Sequence, residues 1–387
     1  MPTSYELPLE RPDRFQPPPG YADLRRREPV TRVCLPDGGE AWLVTSYDAV
    51  KTVLTDARFG VTKPDSRLAD DLSPMGEGRN HRRFRQLVSG ALTSQRIHAF
   101  EPRIEAIAEQ LITQMVRHGA PADLVTHLSR PLPLTVMCEL LGIQIDDGEK
   151  FHHWVEAAVA LVVPPDDPEL IAEYAATAQQ LWEYMTAAVE SKRGKPDDGL
   201  LSKTLAESSA FSEEEQINVA ITVLITGYIT TANALSIGLA DLATTRGFGG
   251  PANDDARDST VEEMLRRQSG PGNEALPRWA REDVVLGEQQ VSAGDLVLAR
   301  LEAANHDPAA FPEPGTFDHA RTANGHLAFG YGRHQCLGAG LARAELRAAL
   351  RAIRQHCPDL SLAQPPQDIP WTGHPFEDGP ASILITW

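Results

Sequence analysis

Ser212-Glu213-Glu214-Glu215 opens a run of apolar and small residues that continues from Ile217 to Leu242. A serine followed three residues later by glutamate is a capping box, which satisfies backbone donors at a helix start. A helix this long and this apolar must be buried, in a bilayer or in the centre of a large core. Thr222, Thr226, Thr230, Thr231 and Asn233 recur along it, which argues for a central helix inside protein and against a membrane span. The remaining chain has to wrap that helix. With 387 residues and 42% hydrophobic content it has the material.

The length would allow two or three average domains, yet no internal repeat and no second-domain signature appears. One domain over residues 1–387 is therefore expected, sheet-rich at about 30–60 and 277–300 and helical elsewhere. Strands are predicted at Ala41–Thr45, Asp283–Leu286, Gln290–Val291 and Leu296–Ala299, and a C-terminal hairpin over 376–385. Helices are predicted at Tyr47–Leu54, Ile104–Arg117, Thr135–Leu141, Phe151–Val163 and Ala172–Ser191. The Gly- and Asp-rich stretch 244–259 reads as irregular.

Charge and cysteine usage exclude some functions. Thirty-six basic against 54 acidic residues leave a net charge of −18, which disfavours nucleic acid or an anionic membrane as the main partner. Cys34, Cys138, Cys336 and Cys357 are widely spaced with no Cys-x-x-Cys pair, as in a reducing cytoplasm. The polar, Pro-rich N-terminus carries no signal or anchor pattern, so a cytoplasmic location is expected.

The most distinctive local chemistry is Phe329-Gly330-Tyr331-Gly332-Arg333-His334-Gln335-Cys336-Leu337-Gly338. Glycines permit a tight loop with positive φ, and strong helix formers follow the cysteine. A cysteine just before a helix N-terminus favours the thiolate. Such a thiolate is a nucleophile, a redox thiol or a metal ligand.

Three other patterns stand along the chain. His81 and Arg85 lie four apart and share a helix face; two such cations suit a carboxylate sunk in protein, although alone they read as a solvated basic face. Glu263 and Arg266 form Glu-x-x-Arg, one helical turn apart, a pairing too common to be informative by itself. In the central helix, Thr226-Gly227-Tyr228-Ile229-Thr230-Thr231 sets a small glycine beside hydroxyls that can bend the helix and hydrogen-bond a ligand.

Taken with its companions, Phe-x-x-Gly-x-x-x-Cys-x-Gly resembles the cytochrome P-450 family of haem-thiolate oxygenases, and the resemblance runs from the Ala41 strand to Trp387. It implies a mainly α (α+β) fold: a helical body with small peripheral sheets and haem b between two helices. Cys336 becomes the proximal iron ligand, which tunes the haem toward O–O cleavage. Phe329, Gly338 and Gly227 become cofactor contacts. His81, Arg85, Arg278 and His334 become propionate donors. Thr230 becomes the oxygen-side hydroxyl, duplicated by Thr231, and Thr226, Ile229 and Glu274 line the substrate pocket. Glu263, Arg266 and Arg321 become a buried structural set that fixes the thiolate loop.

The resemblance further implies a small-molecule substrate, a ferredoxin-type redox partner and a monomer. The expected reaction is O2-dependent hydroxylation or epoxidation of a secondary-metabolite intermediate, of the bacterial antibiotic-biosynthesis kind. Two departures qualify it. The stretch 61–80, which usually covers the pocket, is short, which suits a large or carrier-bound substrate. Ile229 stands where the family has an acid before its threonine. That loss keeps open coupling, cyclisation or desaturation without oxygen insertion, and, as a third reading, a non-catalytic haem or ligand-binding protein.

Overall fold

In a computed structural model, the capping box at Ser212 forms as expected: Glu215 N–H donates to Ser212 Oγ at 3.1 Å, and Ser212 N–H to Glu215 Oε2 at 2.7 Å. The structure describes residues 5–64, 66, 73–90, 92–161, 167–197, 199–207, 211–245, 248, 254–268, 277–321, 324–373 and 378–387.

Among these, the helices are α1 (Pro19–Arg27), α2 (Tyr47–Thr55), α3 (Gly78–Ser89), α4 (Ser94–His118), α5 (Pro131–Leu141) and α6 (Gly148–Ala160). They continue with α7 (Pro168–Gly194), α8 (Leu200–Glu207), α9 (Glu213–Thr244), α10 (Asp254–Arg267), α11 (Leu301–Asn305) and α12 (Ala339–His356). The strands are β1 (Tyr5–Glu6), β2 (Val30–Cys34), β3 (Glu40–Val44), β4 (Phe59–Gly60), β5 (Ala122–Asp123) and β6 (Arg278–Ala280). β7 (Val284–Leu286), β8 (Gln289–Val291), β9 (Leu296–Ala299), β10 (Ser361–Leu362) and β11 (Leu384–Thr386) complete the set.

Contacts divide the chain into two compact units, residues 1–82 with 250–336 and residues 83–249 with 337–387. The first unit is built on a six-stranded sheet in the order β1-β2-β3-β9-β6-β4. β3 takes β2 antiparallel on one side and β9 parallel on the other, so both sheet-rich stretches of the sequence meet in one sheet. Buried Val44, Val50, Val53, Phe59, Val297 and Leu327 form one core cluster of this unit. That cluster ties the sheet and α2 to the segment leading into the cysteine loop.

The second unit is helical around α9. Leu224, Tyr228, Leu235, Leu239, Ala240 and Leu242 of α9 are fully buried. By length and composition α9 could cross a membrane, but 56% of its most apolar window is buried inside the protein, as in a core helix. α12 packs along α4, and matching charges ladder the pair: Arg347 to Glu101 at 2.9 Å and Arg351 to Glu105 at 2.8 Å.

Two sequence expectations shift. The stretch expected to be irregular over 244–259 is helical from Asp254, because the helix formers of 261–267 extend their helix N-terminally once it is nucleated. The C-terminal hairpin is displaced toward the N-terminus. Thr372 N–H bonds Gly379 O and Ala381 N–H bonds Pro370 O, while β11 pairs with β10 and β5. Gly379 explains the shift: it packs against Asn233 where no side chain would fit, which anchors the turn there.

Candidate active site

Residues 327–336 form a tight loop held by its own backbone. Gly330 N–H bonds Leu327 O at 2.8 Å, Gln335 N–H bonds Gly332 O at 3.1 Å and Cys336 N–H bonds Phe329 O at 2.9 Å. Gly330 and Gly332 have φ of 66° and 76°, the left-handed region where only glycine is unstrained. A Cβ on Gly332 would also lie 2.8 Å from Leu54 O of α2. Leu327 N–H donates to buried Asn305 Oδ1 at 2.7 Å, and Arg333 reaches back to the Phe59 carbonyl. The loop delivers an exposed Cys336, in no disulfide, three residues before α12 begins with Gly338 as its N-cap. Phe329 lies within the loop, its ring 6.0 Å from that of His326.

Beside this loop, still in the first unit, the structure gathers basic groups. The buried His81 ring stacks on His334 with centroids 4.0 Å apart and an angle of 25°. Arg278 is 3% exposed on β6, and burial first, then Arg333, push its pKa down to about 10. Burial, then His81, Arg278 and Arg333, push His334 down to about 3. Neither ring nitrogen of His334 makes a hydrogen bond of normal geometry. Burial and neighbouring positive charge both disfavour the protonated forms of such groups, and an anion placed among them reverses that. Arg333 was not singled out in the sequence, although its place beside His334 in the loop was the available signal.

Glu263, Arg266 and Arg321 come together. Arg266 grips Glu263 through two hydrogen bonds of 2.8 Å, and Arg321 Nε adds one at 3.1 Å. Asp318 N–H and Asn324 Nδ2 also donate to the carboxylate, at 3.1 and 3.2 Å. Arg266 further clamps the carbonyls of Asn305 and Pro314, at 2.7 and 2.8 Å. Asn305 is therefore held by Arg266 through its carbonyl while its side chain holds Leu327. The carboxylate network thus reaches the cysteine loop through Asn305.

In the second unit, Thr226 and Thr230 are the exposed positions at the centre of the otherwise well-buried α9. Each hydroxyl donates back one turn, Thr226 to Thr222 O at 2.7 Å and Thr230 to Thr226 O at 2.6 Å. Thr231 is buried and faces elsewhere, so the two threonines are not equivalent. Ile229 is 8% exposed and lines a cavity of about 300 Å3. Gly227 has a packing reason that the sequence did not suggest: a Cβ there would lie 2.5 Å from Met137 Sδ of α5. Arg85 lies on α3, one turn after His81. Glu274, and part of the short 61–80 stretch, fall outside the described residues.

A sequence model of the family described as Cytochrome P450 matches residues 29–247 and 257–370. The chain belongs to the cytochrome P450 family. It is 36% identical over 381 residues to mycinamicin IV hydroxylase/epoxidase of Micromonospora griseorubida, covering 95% of this chain and 94% of that one. It is 36% identical over 383 residues to nocardicin C N-oxygenase of Nocardia uniformis subsp. tsuyamanensis, covering 95% of each. Among solved structures, a variant of the mixed-function P450 MycG bound to mycinamicin IV superposes with a TM-score of 0.86 at 34% identity, over 99% of this chain and 100% of that one.

The P450 fold is thus that of bacterial natural-product enzymes, and the protein is a haem-thiolate monooxygenase acting on a small molecule with electrons from redox partners. The residues present fit that cofactor. A porphyrin carries carboxylates, and buried His81 and Arg278 stand with His334 and the more exposed Arg333 as a basic set that suits them. Cys336 supplies the thiol on a loop that glycine alone can form.

Proposed function

We propose that this P450 hydroxylates or epoxidises a natural-product intermediate, using haem b held by Cys336. The observation that carries the assignment is the basic set in which buried His81 and Arg278 meet His334 and Arg333, the latter two a few residues before Cys336. When bound, the haem-thiolate group supplies reductive activation of O2 for insertion into a C–H or C=C bond.

The chain's own residues do the rest. Cys336 gives the thiolate, with its N–H tied to Phe329 O so that the sulfur keeps a fixed direction. Phe329 and Gly338, either side of Cys336 in the chain, would border the cofactor. His81, Arg85, Arg278, His334 and Arg333 would neutralise its carboxylates. Thr230 would supply the oxygen-side hydroxyl, exchanging its bond to Thr226 O for one to a ligand. Glu263, Arg266 and Arg321 hold the loop through Asn305. The family match spans both contact units, which supports reading residues 1–387 as one functional domain.

Electrons would come from a ferredoxin and its reductase, and the protein would work as a cytoplasmic monomer, in keeping with its charge of −18. The named activities of the two relatives, on mycinamicin IV and nocardicin C, support an antibiotic-type substrate and oxygen insertion over coupling or desaturation. A screen of such compounds for substrate-induced shifts of the haem spectrum, followed by turnover under isotopically labelled O2, tests the reading. Label in the product supports it. Product without label moves the reaction to coupling or desaturation.

A further inference from the structure

α1 ends in three arginines, and only the first of them turns inward. Arg26 and Arg27 are exposed, whereas the Arg25 side chain is 11% exposed. Its guanidinium spans the C-terminal end of α11. Nη1 donates to Ala303 O at 2.8 Å, Nη2 donates to His306 O at 3.0 Å, and Nε stands 3.6 Å from Asp307 Oδ1. A cation suits this place, because the last carbonyls of a helix lack intrahelical donors and carry partial negative charge. A second basic group braces α11 nearby: Arg11 Nη2 lies 2.5 Å from Oε1 of fully buried Glu302.

The segment 303–307 that Arg25 holds is also where the cysteine loop is gripped. Asn305 Oδ1 accepts the Leu327 N–H at 2.7 Å. Buried Asp307 accepts the Tyr47 N–H through Oδ2 at 2.9 Å, which fixes the first residue of α2. Tyr47 Oη in turn donates to Gly325 O at 2.7 Å, and its ring meets Phe311 edge-on with centroids 5.7 Å apart. At the other end of α2, Leu54 O borders Gly332 too closely for a side chain. The loop is thus held at Gly325, Leu327 and Gly332. Its internal bonds, Gly330 N–H to Leu327 O and Cys336 N–H to Phe329 O, carry those anchor points to the sulfur.

We propose that Arg25 and Tyr47 are positioning residues for the Cys336 thiolate. Arg25 fixes α11 and Asp307, and Tyr47 relays that position to the loop at Gly325. The inference rests on Cys336 as the iron ligand. Groups beyond a ligand set how strongly it donates by fixing its direction and distance. Without Arg25, Asp307 is a buried carboxylate short of its cation, and the segment 303–307 loses two carbonyl anchors. A loosened loop lets the sulfur donate less, and weaker donation from an anionic ligand favours ferrous over ferric iron.

The test uses the haem-loaded full chain and needs neither substrate nor turnover. In a dye-buffered titration, Arg25→Gln and Tyr47→Phe should each raise the ferrous-to-ferric ratio at fixed potential by about threefold or more. Resonance Raman spectra of the ferric forms should show the iron–sulfur stretch at lower frequency in both. Tyr47→Phe removes one hydroxyl from a half-buried ring, so it carries the test alone if Arg25→Gln does not fold. Two controls separate positioning from general loosening. Ile112→Ala, a truncation of a fully buried side chain on α4, should lower stability and leave both readouts at wild-type values. Arg32→Ala, which opens an exposed pair with Glu40, should change neither. An unchanged or opposite shift in either folded variant, or an equal shift in Ile112→Ala, would overturn the inference. A wild type without the thiolate-type reduced-CO band would instead strike Cys336 as the ligand, and the inference with it.

Discussion

Arg266 and Glu263 bind each other through paired 2.8 Å hydrogen bonds, and neither side chain reaches solvent. Removing one partner leaves an uncompensated buried charge, which typically costs about 3–5 kcal/mol. Arg266→Ala should therefore destabilise the protein by that amount in chemical denaturation. Arg266→Lys should recover only part of it, since a single ammonium cannot reproduce the fork that also clamps Asn305 O and Pro314 O. Arg351→Ala, which breaks a half-exposed pair with Glu105, should cost less than about 1 kcal/mol.

Acid should weaken the fold early. Burial, the dominant cause, pushes His306 from 6.5 down to about 3, so it folds as the neutral ring, Nδ1 lying 2.9 Å from Glu302 O. A histidine with its folded pKa below its unfolded one stabilises the native state only while neutral. Its contribution is complete above about pH 6.5 and shrinks as pH falls toward 3, by about 1.4 kcal/mol per pH unit. Unfolding free energies measured between these limits should slope less steeply in His306→Phe.

Gly227→Ala should destabilise by about 1–3 kcal/mol, because the new methyl would meet Met137 Sδ at 2.5 Å. Met137→Ala in the same chain should relieve much of that clash, so the two losses should fall well short of additive. Additive losses in urea denaturation would mean that Met137 is not what excludes a side chain there.

Much of this was legible in the sequence for physical reasons. The apolar run from Ile217 with its capping serine could only be a buried helix, and α9 is one. Gly330 and Gly332 announced positive φ, and both have it. Glu263 and Arg266 are one turn apart, so their pairing needed only a helix, which α10 provides. What the sequence left out depends on which elements become neighbours. Nothing in Tyr228 or His152 reveals that α9 and α6 bring them to 2.7 Å. Gly227 suggested an approaching ligand, while its open side faces Met137, because the packing of α5 on α9 cannot be read from spacing. The end of the chain misled for the same reason: a hairpin was expected over 376–385, but the partners of the strand at 384–386 lie at 361–362 and 122–123, outside that span.

Cys336 as the iron ligand is the central claim, and the reduced-CO difference spectrum of the haem-reconstituted protein tests it most directly. Wild type should show the strongly red-shifted Soret band of thiolate ligation, and Cys336→Ser should lose that band. Cys138→Ser and Cys357→Ser, at buried positions whose pKa burial raises, should keep it. A wild-type spectrum without the red-shifted band, or its persistence in Cys336→Ser, would contradict the account.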